Sequence, residues 1–204
     1  MVNNRKRAFL RERDIFFSNG GVLKTAEAIR LGIHPRKLYA MAQEQLIQKL
    51  GRGLFRLSEL QPPAQPDLLP IAMKVSNGVI CLVSALLFHG LTNQIPQEVA
   101  IAIPKGSEPP RLEFPPTCIH WFSGLAYSEG IESHIVDGAT LKVYCPEKTI
   151  ADCFKFRAKV GMETCLEALK RLVPNQKFRI NELSRFAKIC KVERVMFPYV
   201  EALL

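Results

Sequence analysis

LGIHPRKLYAMAQEQLIQKLGRGLFRL, residues 31–57, decides the fold. Gly32 is placed to let a preceding helix exit. His34 stands where a cap residue belongs, and Pro35 suits a first helical turn because its missing N–H has no partner there anyway. Leu38, Met41, Ala42 and Gln45 then recur at helical spacing and give an inward stripe. The opposite face carries Arg36, Lys37, Tyr39, Ala40 and Gln43. Two short apolar runs, LIQKL and LFRL, flank Gly51-Arg52-Gly53, a turn whose glycines permit positive φ, so a hairpin follows the helix.

Upstream, Arg5 to Phe17 reads as a helix with Phe9, Leu10, Phe16 and Phe17 on one side, stopped by Asn19-Gly20-Gly21. Thr25 is a good N-cap for a second short helix through Leu31. Helix, helix, helix and hairpin in this order make a winged helix-turn-helix. A reader helix that starts Pro-Arg-Lys gathers free N–H groups, a positive dipole end and two cations in one place. In such domains the N-terminal residues of that helix meet base edges in the major groove. Arg36 suits bidentate contact with guanine, Lys37 or Tyr39 a base or phosphate, and Gln43 lies on the same face. Arg52 at the hairpin tip, with Lys49 and Arg56 beside it, is placed to grip the backbone or a minor groove. His34 reads as a cap and not as a metal ligand, since no second ligand is near it.

Charge agrees with that placement. The chain has 204 residues and a formal charge of +9. Residues 1–60 hold twelve Lys/Arg against five Asp/Glu, while residues 61–204 hold sixteen against fourteen. A negatively charged partner is therefore expected at the N-terminal part. The same charge on a merely soluble surface, or a winged domain used only for protein contacts, is the plainer reading. Neither the start, MVNNRKRAFLRERD, nor the longest apolar run, VICLVSALLF at 79–88, has the form of a signal peptide or a membrane span. None of the six cysteines forms a C-x-x-C pair or a zinc pattern. A reduced, cytoplasmic protein without a membrane partner is expected.

Four prolines in QPPAQPDLLP, residues 61–70, favour an extended connector. The expected division is a winged helix-turn-helix domain at 1–60, a linker at 61–70 and a second domain at 71–204. In the latter, SNGVICLVSALLFHG reads as a buried helix. QEVAIAIP is a strand with Val99, Ile101 and Ile103 on one face, and CIHWF is another. IESHIV and ATLKVYC alternate around Asp137-Gly138, a strong hairpin signal. CPEKTIADCFKFRAKVG begins a helix at Pro146 and ends at Gly161, and further helices are expected at 162–173, 181–190 and 192–203. The expected class is α+β, with a small sheet and a helical C-terminal part.

Chemistry is sparse in this half. A metal-dependent nuclease needs paired acids beside a lysine. Asp137 and Lys142 are present, but Thr140 stands where the second acid belongs, so Asp137 reads as a turn residue and Lys142 as a solvent-facing one. No nucleophile elbow, phosphate loop or metalloprotease helix occurs. His120, Trp121 and His134 lie in apolar strands, where packing or hydrogen bonding is the default. No catalytic residue, metal site or cofactor is expected. The helix carrying Glu147, Lys148, Asp152 and Arg157 has two readings: structural support, or a partner-binding surface.

The order of these parts resembles the AbiE-type (AbiEi) antitoxins of bacterial type IV toxin–antitoxin systems, which act in phage defence. The resemblance rests on residues 31–57, on VICLVSALLFHGLTNQIPQEVAIAIP, and on GIESHIVDGATLKVYCPEKTIADCFKFRAKVG. Ser84-Ala85-Leu86, Gln94-Ile95-Pro96 and Glu147-Lys148-Thr149 with Asp152 and Arg157 are its most specific elements. It implies a repressor that binds double-stranded DNA in its own promoter through the N-terminal domain. The C-terminal domain would counteract a cognate nucleotidyltransferase-like toxin, with direct contact not required. His34-Pro35 departs from the small hydroxyl residues common at that helix start. A nuclease-like or defence-associated DNA-processing enzyme is the alternative class.

Overall fold

A computed structural model describes residues 8–63, 65–175 and 178–204. The chain divides into two compact units: residues 1–74 with 111–115 and 135–139, and residues 75–110, 116–134 and 140–204. No helix among the described residues is long and apolar enough to cross a membrane.

In the first unit, α1 spans Leu10–Ser18; residues 5–7, with which it was expected to begin, lie outside the described residues. Its inward stripe is Phe9, Glu12 and Phe16, spaced three and four residues apart. Leu10 and Phe17, expected on that face, sit one position off it and are 48% exposed. Strand β1, Val22–Lys24, leads into α2, Thr25–Arg30. The N-cap is Lys24 rather than Thr25, because β1 holds Lys24 extended; the Glu27 carboxylate accepts its backbone N–H at 3.1 Å. Gly32 takes φ +91°, with Gly32 N–H to Ile29 and Ile33 N–H to Ala28 closing the helix end as foreseen.

Helix α3, Pro35–Gln43, starts as its sequence dictates: His34 Nδ1 accepts the Arg36 N–H at 3.2 Å, and Pro35 occupies the first turn. Leu38 and Met41 are fully buried, and Ala42 is half-buried. Gln45 leaves the expected stripe. It takes φ +57°, its N–H bonds Ala42 and that of Leu46 bonds Met41, so it ends the helix in solvent. The wing follows as β2, Ile47–Gly51, and β3, Leu54–Leu57, which with β1 form an antiparallel sheet ordered β1-β3-β2. Phe16, Ala28, Ile33, Leu38, Met41, Ile47 and Phe55 close one core under it. Connector residues 61–70 are not extended throughout. Helix α4, Leu68–Lys74, begins inside them, with Pro70 in a first turn where its missing N–H is harmless, and Leu69 packs on Val22 and Leu54.

The second unit opens with a strand where a helix was expected. Val79–Ile80 form β4, and only Leu82–Phe88 form helix α5. A short, fully apolar run has no periodicity to separate a buried strand from a buried helix. The sheet order is β6-β5-β4-β8-β7, with β5 Val99–Pro104, β6 Thr117–Phe122, β7 Ile131–Val136 and β8 Ala139–Tyr144. A short helix, α6, Leu125–Ser128, precedes β7. The β7–β8 turn has Asp137 at φ +48° and Gly138 at φ +82°, the two left-handed positions expected there, and its tip, 135–139, belongs to the first unit. Lys142 is half-buried and donates to the Ser76 carbonyl at 2.9 Å, so it does not simply face solvent.

Helices follow as α7 Pro146–Lys155, α8 Arg157–Val160, α9 Met162–Leu172, α10 Ile180–Cys190 and α11 Glu193–Glu201. The single helix expected over 146–160 is thus interrupted at Phe156. Helix α7 lies at the centre of the core, among Val79, Leu86, Ala102, Leu169 and Phe186. The fold is α+β: a winged helix-turn-helix, then a mixed five-stranded sheet with a helical C-terminal part.

Candidate nucleic-acid interface

The basic face of the first unit is built from α3 and the wing. Tyr39, 55% exposed, meets Phe55 of β3 edge to face at 6.2 Å, which sets this face of α3 against the wing sheet. Such a ring pair contributes about 0.5–1.5 kcal/mol beyond its area. At the other end of the hairpin, the Thr25 N–H donates to the Gly53 carbonyl at 2.9 Å and anchors the turn on the start of α2. Gly53 itself takes φ +66°. A bulge between Lys49 and Gly51 brings the strands to the Arg52 turn.

On this frame Arg36, Lys49 and Arg52 are exposed, and among the described residues their side chains form no hydrogen bond or ion pair. Three cations held in solvent with no internal anion are available to an external one. Gln43 is exposed on the last turn of α3. Lys37 is half committed: its Nζ lies 2.6 Å from Glu12, whose side chain is only 4% exposed. That acid, unnoticed in the sequence, ties α1 to the first turn of α3. Its signal was an acid sitting between Phe9 and Phe16 on an otherwise apolar stripe.

Arg56 does not belong to the surface. It is 5% exposed and donates to the carbonyls of Leu57, Leu60 and Gln61, serving the chain's exit from β3. Arg13 is likewise spent, on a bidentate pair with Glu59 at 2.6–3.0 Å.

The second candidate set fares differently. Glu147 is 2% exposed, Lys148 0% and Asp152 1%, so three of the four residues proposed as a partner surface lie inside the unit. Four residues apart on α7, Lys148 and Asp152 pair at 2.5 Å. The ammonium stands 4.4 Å from the Tyr144 ring centre and 5.1 Å from that of Phe122, so aromatic faces supply what water cannot. The Cys190 thiol donates to the other Asp152 oxygen at 3.2 Å, and burial pushes that thiol up to about 12, keeping it protonated as a donor. Burial also raises the Asp152 carboxyl, against the opposing pull of Lys148. Only Arg157 is exposed, and it donates to the Phe154 carbonyl at 2.9 Å. Lys148 and Asp152 are therefore an internal pair, which fits the structural-support reading of this helix. The hint lay in their company, with Ile150, Ala151, Cys153 and Phe154 all inside.

His89 and His120 give this unit a pH dependence. Burial holds both imidazoles below their ordinary value of 6.5, and Lys159 adds to the effect on His120. Both bind protons more readily in the unfolded chain. Their contribution to stability is full above 6.5 and is lost as pH falls from there through the lower folded values. Melting midpoints measured between about pH 7.5 and 5 should decline toward acid. His89→Gln, which keeps an N–H donor for the Tyr144 carbonyl 2.7 Å away, should make that decline shallower.

Three α-helices and a three-stranded antiparallel wing, with bare cations on the third helix and the hairpin, define a winged helix-turn-helix domain. Residues 11–58 match the family described as transcriptional regulator, AbiEi antitoxin. In overall fold the chain is similar to the crystal structure of the RV2827C protein from Mycobacterium tuberculosis, with a TM-score of 0.63 at 13% identity. That likeness covers 96% of this chain and 76% of the other. No curated protein matches it in sequence.

Proposed function

We propose that the protein is a DNA-binding autorepressor and antitoxin. The first unit binds repeats in its own promoter, and the rest of the chain counteracts a nucleotidyltransferase-like toxin. The observation that carries the DNA-binding half is the trio Arg36, Lys49 and Arg52, exposed and unpaired on the elements that such domains present to a duplex. In this reading α3 enters the major groove. Arg36, in its first turn, meets a base edge, while Lys49 and Arg52 take phosphates. Lys37, already oriented by Glu12, adds a fourth positive contact at the helix start. The family match supports the regulatory and antitoxin roles together.

Salt dependence tests it. Four cationic contacts predict that log K falls against log salt with a slope of about −3 to −4. Fluorescence anisotropy of the full chain on a duplex from its own promoter, across a salt series, measures that slope. A slope near zero, or no binding at low salt, would remove α3 and the wing as a DNA interface.

A further inference from the structure

The second unit contains a cavity of about 720 Å³ that the proposed regulatory role leaves unused. Glu147, at the start of α7, lines it. Its Oε1 accepts the backbone N–H of Arg179 at 3.2 Å and the Arg179 Nε at 3.4 Å, while its Oε2 is buried with no hydrogen-bond partner among the described residues. A buried carboxylate in that state is under-satisfied, and such groups are rare in folded proteins. Its one cationic partner among the described residues is a loose one. The other arginine–carboxylate pairs among the described residues close to 2.6–2.9 Å, and the Arg179 side chain is 59% exposed. A second carboxylate, Glu132, lines the same cavity beside His134 at 3.3 Å. Leu91, Leu172 and Phe178 supply an apolar wall.

Among the described residues, two carboxylates face one loosely held guanidinium in the cavity, and its apolar wall suits an aliphatic stem. We propose that this cavity binds an organic cation bearing N–H donors on an aliphatic chain, a guanidinium or primary ammonium. Its head takes the place of Arg179 on Glu147 and reaches Glu132. Arg179 is then a resident substitute that the ligand displaces, and its long contact and exposed side chain are what displacement requires. A free small amine and an arginine side chain of a partner protein offer the same chemistry. The inference stands apart from DNA binding, because it uses none of the residues of the first unit.

The experiment is a titration of the full chain with agmatine, followed by the imidazole NMR signals of His89 and His134, which line the cavity, with His34, outside its lining, as the reference. Saturable shifts of the first two, with His34 unmoved, are expected, and N-butylacetamide, neutral and of similar length, should give none. Arg179→Gln, a substitution at an exposed side chain, should tighten agmatine binding by about fivefold by removing the competitor. Glu147→Gln should weaken it by about tenfold or more. Should Glu147→Gln fail to fold, Glu132→Gln, at a side chain 39% exposed, serves instead and should weaken binding severalfold. A glycine-flanked arginine peptide that competes with agmatine would assign the site to a partner's side chain, whereas agmatine alone binding would assign it to free amines. Absence of a saturable shift at about 10 mM agmatine, equal binding of the neutral compound, or no tightening in Arg179→Gln overturns the proposal.

Discussion

Asp152→Ala is expected to destabilise the second unit by about 3–5 kcal/mol, enough to leave a domain of ordinary stability marginal. The substitution strands the Lys148 ammonium at 0% exposure, with two aromatic faces and no anion. It also removes the acceptor of the Cys190 thiol. Replacing both partners, Lys148→Met with Asp152→Leu, should recover most of the loss, because similar-sized apolar side chains need no charge compensation. Denaturant unfolding of the full chain, with both variants side by side, measures the difference. If Asp152→Ala costs less than about 1 kcal/mol, the pair is not the buried ion pair described here. The comparison also decides how a toxicity-rescue assay on α7 is read. Loss of rescue in Asp152→Ala would report unfolding. Loss in Arg157→Ala, at an exposed side chain where changes stay within about half a kcal/mol, would report a contact with a partner.

The contrast between the two units shows what kind of information a sequence carries openly. In residues 31–57 most local devices were legible, the helix stop at Gln45 excepted, because caps and hairpin turns depend on one residue and its immediate neighbours. Pro35, His34 and Gly32 occupy the positions their chemistry demands. Arg56 was misread, since nothing within the run LFRL distinguishes a cation facing solvent from one folded back onto the carbonyls of residues 57, 60 and 61. Helix α7 was left with two readings, structural support or a partner surface, for a related reason. Charges at i and i+4 look the same on a solvated helix as on one buried on every side, and the difference lies in Phe122, Tyr144 and Cys190, which sit 4–38 residues away from Lys148 or Asp152 in sequence. Strand β4 was hidden by its own burial, with apolar residues all round and hence no period to read.

Arg36→Ala is expected to weaken binding to the preferred promoter site by about 1–3 kcal/mol and to relax base choice at one position. The argument is geometric. Arg36 stands in the first turn of α3, its backbone N–H fixed by the His34 ring at 3.2 Å, while its side chain is exposed with no internal partner among the described residues. A guanidinium projecting from a rigid helix start has the directionality that bidentate contact with a guanine edge needs. Arg52 lies instead on a glycine-flanked turn, and a cation there finds phosphate wherever the duplex runs. Arg52→Ala should therefore weaken preferred and scrambled duplexes alike and reduce the salt slope by about one unit. Lys37→Ala should fall between them, because removing Lys37 also uncovers the Glu12 carboxylate, 4% exposed, beneath α3. Anisotropy titrations of the three variants on matched and base-substituted duplexes, each at two salt concentrations, separate these roles. If Arg36→Ala weakened all duplexes equally while Arg52→Ala relaxed base choice, the wing would be the reader and α3 its electrostatic support.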